Sequence, residues 1–205
     1  MGRRRVTRIG VLGGTFDPPH VGHLWLGALA AEALGLDRVL FVPASTPPHK
    51  LDEPVTAAEH RLEMTRVAIG DDSAFELSAI ELERDGPSYT VGLVPELRAM
   101  HPGADLFLVM AADSLETVET WRDPHRLLQM IEWVVGPRPG SALPDPAVLA
   151  DRFGADASRI HLLTGPALDV SSTEIRRRVA AGRTIRYLVP RGVEELIAER
   201  RLYRR

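Results

Sequence analysis

Apolar residues in this chain fall into two alternating patterns. Short, largely apolar runs at 8–12, 39–42, 106–110, 133–135 and 160–163 have the length of buried strands, and 75–82 is strand-like. Between them lie longer stretches with apolar positions three or four residues apart, the spacing of a helix face. They predict helices over 24–34, 57–69, 91–100, 125–130, 172–181 and 193–201. In 57–69 the apolar positions are Leu62, Met64, Val67 and Ala68, and in 91–100 Pro95 suggests that the helix proper begins near it. Strand alternating with helix implies βαβ units and a parallel sheet with helices on both faces, an α/β Rossmann-like doubly wound fold. Ligands of such sheets bind outside the carboxyl ends of the strands. The segment after the first strand, the loop at 43–50 and the Asp113 segment each follow a strand, so they are expected at one edge. There is no internal repeat, and the Gly/Pro-rich stretch 136–146 has the composition of a linker or a loop.

The first strand runs into Gly13-Gly14-Thr15-Phe16-Asp17-Pro18-Pro19-His20-Val21-Gly22-His23, and a helix follows. Glycines let the backbone turn and approach a ligand closely. A strand, a glycine turn and a helix N-terminus make a site for phosphate. His20 and His23 lie three apart, so in the first turn they share one face. Gly22 between them removes a side chain where a ligand would approach. The segment is neither the G-x-G-x-x-G dinucleotide fingerprint nor a Walker loop, which needs Gly-Lys-Ser/Thr. Two histidines three apart also suit zinc. The chain has no cysteine, however, so a structural zinc site would need carboxylates or more histidines, and no metal-ligating residue is assigned.

Composition narrows the class. The chain's 205 residues, 44% of them hydrophobic, suit one globular domain with a sizeable core. A net charge of −3 disfavours a broad nucleic-acid-binding face. The arginine clusters at 3–5, 200–201 and 204–205 read as solvated termini. The absence of cysteine excludes disulfides. No stretch is long and apolar enough to span a membrane, and the N-terminus has no signal-peptide h-region, so a cytoplasmic enzyme is expected. Lys50 is the only lysine. Arginine replaces lysine freely on a solvated face, so a surviving lysine beside His49 points to a place that wants a compact ammonium.

Residues 13–23 resemble the G-T-F-D-P-x-H-x-G-H signature of the nucleotidylyltransferase superfamily. Further segments narrow the resemblance to the bacterial nicotinate mononucleotide adenylyltransferases. They are Pro47-Pro48-His49-Lys50, Ser88-Tyr89-Thr90, Asp113 followed by Trp121, Arg138-Pro139-Gly140, Ser171-Ser172-Thr173-Glu174-Ile175-Arg176 and Tyr187-Leu188-Val189-Pro190, in the family's order. The resemblance implies a single domain over 1–205, with an α/β core at 7–165 and a C-terminal helical part at 166–205, and makes 136–146 a loop. It implies transfer of the adenylyl group of ATP to nicotinate mononucleotide, with Mg²⁺ travelling on the ATP phosphates. A homo-oligomer is allowed, and no nucleic acid or membrane is expected as a partner.

The implied site follows residue by residue. His20, His23, Lys50 and Arg176 are the catalytic cations and donors, with His23 on the α-phosphate. Gly13, Gly14, Thr15, Phe16, His20, His23, Asp113, Ser171, Ser172 and Arg176 bind ATP. Tyr89, Thr90 and Trp121 bind nicotinate mononucleotide, Trp121 beside the pyridine ring. The chain also departs from the family. Ala111-Ala112-Asp113 stands for Gly-Ala-Asp, Gly92-Leu93-Val94 for the usual Asp-Thr-Leu, and Arg122 for a second aromatic residue of some members. Arg122 has three readings: stacking, pairing with the substrate carboxylate, or facing water. The competing functions are adenylyl transfer to nicotinamide mononucleotide or phosphopantetheine, and a nucleotide-sensing module with little catalysis.

Overall fold

The computed structural model describes residues 5–45, 55–84, 86 and 88–204. Its centre is a six-stranded, wholly parallel sheet: β1 (Arg8–Gly14), β2 (Arg38–Pro43), β3 (Phe75–Leu77), β4 (Asp105–Ala111), β5 (Glu132–Gly136) and β6 (Ile160–Leu162). The order is β3-β2-β1-β4-β5-β6, so the direction of winding reverses between β1 and β4. This is the open α/β Rossmann-like fold expected from the alternation, and the reversal opens a crevice at the strands' carboxyl ends.

Side chains alternate across the sheet, as the two-residue period of a strand demands. Val11, Leu40, Leu108 and Val135 face one core, closed by α3 (Thr90–Met100), α4 (Ala112–Glu116) and α5 (Pro124–Met130). Val39, Phe41, Val109 and Val134 face a second core, closed by α1 (Val21–Leu34). A third core joins α2 (Ala58–Ile69) to α7 (Ser172–Ala180) and α8 (Arg191–Glu199) through Met64, Ile175, Val193 and Ile197. Leu24 of α1 packs against both the second and the third.

Several elements differ from their sequence reading. The segment 75–82 is strand only to Leu77. Ser78 N–H makes a last bond to the Phe41 carbonyl at 2.9 Å, and the chain then turns into a 3₁₀ segment, Ile80–Glu83. Helix α3 begins at Thr90, not near Pro95. The proline sits inside the helix because Leu93, Val94 and Leu97 are buried in the first core. In α2 the buried positions are Arg61, Met64, Thr65, Ala68 and Ile69, a stripe that starts on a charged residue, whereas Val67 is exposed. Helix α6 (Pro146–Phe153) follows the Gly/Pro-rich loop; the sequence reading assigned it no element, though it is capped by the Asp145 side chain on Ala147 N–H and opens on proline.

Candidate active site

A cleft of about 710 Å³ lies at the carboxyl ends of the strands. Gly13 and Gly14 of β1, Ala111 of β4 and Pro137 after β5 all line it, so it straddles the reversal between β1 and β4. A Cβ on Gly13 would meet nothing within 4 Å, so this glycine keeps open space at the strand end.

The two histidines open α1. His20 is its N-cap, and the His20 backbone N–H donates to Nδ1 of His23 at 3.2 Å. In that bond Nδ1 of His23 is the acceptor. The two rings stack at 3.7 Å between centroids, and Phe16 meets His23 edge-on at 5.0 Å. His20 is buried and its pKa is pushed down to about 4, by burial first and by the nearby Arg138 cation second. It is therefore a neutral imidazole near pH 7. Its Nδ1 is buried with no hydrogen-bond partner among the described residues. Gly22 has a packing reason beyond ligand access: a Cβ there would lie 2.8 Å from Val170 and 3.1 Å from the His20 ring. Of the first-turn amides, Val21 N–H is already bonded to the Leu188 carbonyl at 3.0 Å.

The loop before α1 is held from several directions. Ser172 Oγ donates to the Pro18 carbonyl at 2.8 Å, and Arg176 Nη1 donates to the Asp17 carbonyl at 2.7 Å. Arg61, almost fully buried, donates to the carbonyls of Thr15, Ala44, Ser45 and Thr56 at 2.7–2.9 Å. One guanidinium thus joins the loops that leave β1 and β2 to the segment entering α2. Burial lowers its pKa from the ordinary arginine value, while Asp17 opposes that shift. Ser171 lines the cleft but uses its hydroxyl to cap α7, accepting from Glu174 N–H at 3.2 Å. The Glu174 carboxylate turns to Arg177 and Arg178.

Tyr89, Thr90 and Trp121 line the same cleft. Tyr89 is the N-cap of α3 and Thr90 its first residue, so the amides of that helix start lie beside them. Ser88 Oγ accepts from Ser45 N–H at 3.0 Å, which ties this segment to the loop after β2. Trp121 is half-buried and packs on the first core as well as facing the cleft. Arg122 lines the cleft, exposed to water, with its guanidinium 4.9 Å from the Tyr89 ring centroid. The space left by Gly92 is taken by Arg84, whose Nη2 lies 2.8 Å from where a Cβ would stand, while Arg84 pairs with Glu81 at 2.7 Å and Glu96 at 3.1 Å.

The structure thus brings Gly13, Gly14, Thr15, His20, His23, Asp113, Ser171, Ser172, Tyr89, Thr90 and Trp121 to one cleft. Two of the sequence-derived residues are placed otherwise. Phe16 is buried in the second core and does not line the cleft; its φ of 50° turns the ring inward under His23. Arg176 braces the Asp17 carbonyl and is not on the cleft wall. Lys50 lies outside the described residues. Arg138 was not among the sequence-derived site residues, yet it lines the cleft, pairs with Asp113 at 3.3 Å and donates to the Val170 carbonyl at 2.9 Å.

The cytidylyltransferase-like family model matches residues 11–178, which sets the class as nucleotidyltransferase. A probable nicotinate-nucleotide adenylyltransferase of Roseiflexus sp. is 46% identical over 198 residues, covering 96% of this chain and 98% of that protein. One of the same name from Thermus thermophilus is 45% identical, covering 96% and 100%. The chain belongs to the cytidylyltransferase-like family and, within it, to the nicotinate-nucleotide adenylyltransferases. The Plasmodium falciparum nicotinic acid mononucleotide adenylyltransferase complexed with NaAD shares the fold, with a TM-score of 0.81 at 19% identity and coverage of 96% of this chain and 97% of that one.

Proposed function

We propose that this enzyme transfers the adenylyl group of ATP to nicotinate mononucleotide, giving nicotinate adenine dinucleotide and pyrophosphate, in NAD synthesis. The observation that carries this reading is that one cleft holds both the histidine pair at the start of α1 and the Tyr89, Thr90 and Trp121 segment. An oxygen of the acceptor's phosphate attacks the α-phosphorus of ATP, and the bond to the bridging oxygen of pyrophosphate breaks. The attacking oxygen is already ionised near neutral pH, so no general base is needed. Catalysis reduces to in-line positioning and to stabilising charge on the phosphates.

His23 donates from Nε2 to the α-phosphate in this reading. His20, which lines the cleft, acts as a neutral donor. Arg138 supplies a fixed cation at the same wall. Lys50 and Arg176 complete the cationic set in this reading, Arg176 also bracing the loop through the Asp17 carbonyl. The amides at the start of α3 receive the pyridine carboxylate, with Trp121 as the flat surface for the ring. The donors fit a divalent cation carried by the triphosphate, Mg²⁺ in this proposal. The wall offers imidazoles and a guanidinium to phosphate oxygens, while its carboxylates Asp113 and Glu81 are paired to Arg138 and Arg84. Such an ion would neutralise charge on the phosphates. A cytoplasmic setting belongs to the same proposal.

The direct test is release of pyrophosphate from ATP and Mg²⁺ with either nicotinate or nicotinamide mononucleotide. Turnover with the acid form and much slower turnover with the amide is the expected result; a preference for the amide would reassign the acceptor. His23→Ala should lower kcat by about 10²–10³-fold, as for loss of one transition-state donor, and leave the KM for the mononucleotide within a few fold.

A further inference from the structure

We propose that Tyr203, 186 residues from the loop it touches, is a positioning residue for ATP: its hydroxyl holds Asp17 and so sets the loop that delivers His20 to the cleft. The inference rests on the proposed reaction for its substrates and on the following geometry for its logic. Asp17 is only 3% exposed, and each of its carboxylate oxygens has its own donor. Oδ2 accepts from Thr56 N–H at 3.1 Å, and Oδ1 accepts from the Tyr203 hydroxyl at 2.6 Å. The Asp17 carbonyl takes Arg176 at 2.7 Å. Three separate parts of the chain therefore meet on one residue, three positions before His20.

The backbone of Tyr203 is held there against a cost, and its surroundings keep the hydroxyl protonated. Its φ is +61°, a left-handed conformation that is unfavourable for an aromatic residue and persists only where the surroundings dictate it. Its hydroxyl is tightly retained as a neutral donor: burial and the adjacent Asp17 carboxylate push its pKa well above the ordinary tyrosine value. Loss of the hydroxyl would leave a buried carboxylate oxygen without its donor, and that oxygen belongs to the loop of residues 15–20. That loop carries His20 but none of Tyr89, Thr90 or Trp121, which stand on other elements. The effect should therefore fall on ATP and spare the acceptor.

Tyr203→Phe keeps the ring and removes the hydroxyl. Steady-state KM values for ATP and for nicotinate mononucleotide would be compared with wild type, along with the calorimetric Kd of a non-hydrolysable ATP analogue without acceptor. The expected result is a KM for ATP and an analogue Kd raised about tenfold, from loss of one charge-assisted bond, with the acceptor KM within twofold. No change in ATP binding, or equal changes for both substrates, would overturn the proposal. Should Tyr203→Phe fail to fold, Asp17→Asn carries the same comparison with the same criteria. A wild-type protein that binds the analogue but does not turn over the mononucleotide would sink the proposed reaction, while the analogue Kd would still decide the role of Tyr203.

Discussion

His20 is held neutral by what surrounds it, and this has a pH signature. Its folded-state pKa of about 4 lies below the ordinary value of 6.5. Between these values the unfolded chain binds the proton that the folded one refuses, so unfolding becomes easier as pH falls. The stability is fully present above pH 6.5 and is lost progressively towards pH 4, an effect of about 3 kcal/mol for His20 alone. Thermal melts of wild type and His20→Gln across this range should diverge: the wild-type midpoint falls more steeply on acidification, and parallel curves would contradict the buried neutral imidazole. Burial of the ring sets this behaviour first, and the Arg138 cation second.

At the level of elements, α2 does more than cover the sheet. Its buried stripe begins with Arg61, whose four carbonyl partners lie on three separate segments. Arg61→Met keeps much of the volume but leaves those carbonyls without a donor. Destabilisation of about 3–5 kcal/mol is expected from chemical denaturation, as for breaking a buried charged network. A loss under about 1 kcal/mol would mean that the carbonyls find other donors. The stripe also shows how far the sequence could be read. Positions 61, 64, 65, 68 and 69 have helical spacing, but a search for apolar residues passes over an arginine and a threonine and selects Leu62 and Val67 instead. The histidine pair was legible because its geometry is local, three residues on one helical turn. Arg138 was legible only as part of a motif; its place in the site was not, because it depends on Asp113, which the fold brings from just after β4 to the residues after β5. Phe16 illustrates the opposite case: it belongs to the motif, yet its positive φ sends the ring into the core.

For the whole molecule, a parallel sheet covered on both faces, with its site at the strands' carboxyl ends, was readable from the alternation of elements; the strand order and its reversal between β1 and β4 were not. The union of the C-terminal helices with the α/β part rests on packing that pattern alone does not reveal. Leu24 serves two cores at once, and α2 and α8 share the third. The expected outcome is one cooperative unfolding transition for residues 7–165 and 166–205 together. Tryptophan fluorescence, reporting Trp25, Trp121 and Trp133, should coincide with far-ultraviolet circular dichroism through a denaturant titration. Separated curves would define two units.

The bonds that shape the loop before α1 span 154, 159 and 186 residues, from Ser172, Arg176 and Tyr203. During synthesis the glycine–histidine segment emerges long before its braces. A nascent chain can pair its strands and form α1 long before the loop has acquired its final shape. Competence to bind nucleotide should therefore arrive late and abruptly, when the tail beyond α8 leaves the ribosome. A partly made chain would then expose the glycine–histidine segment before its final shape is set.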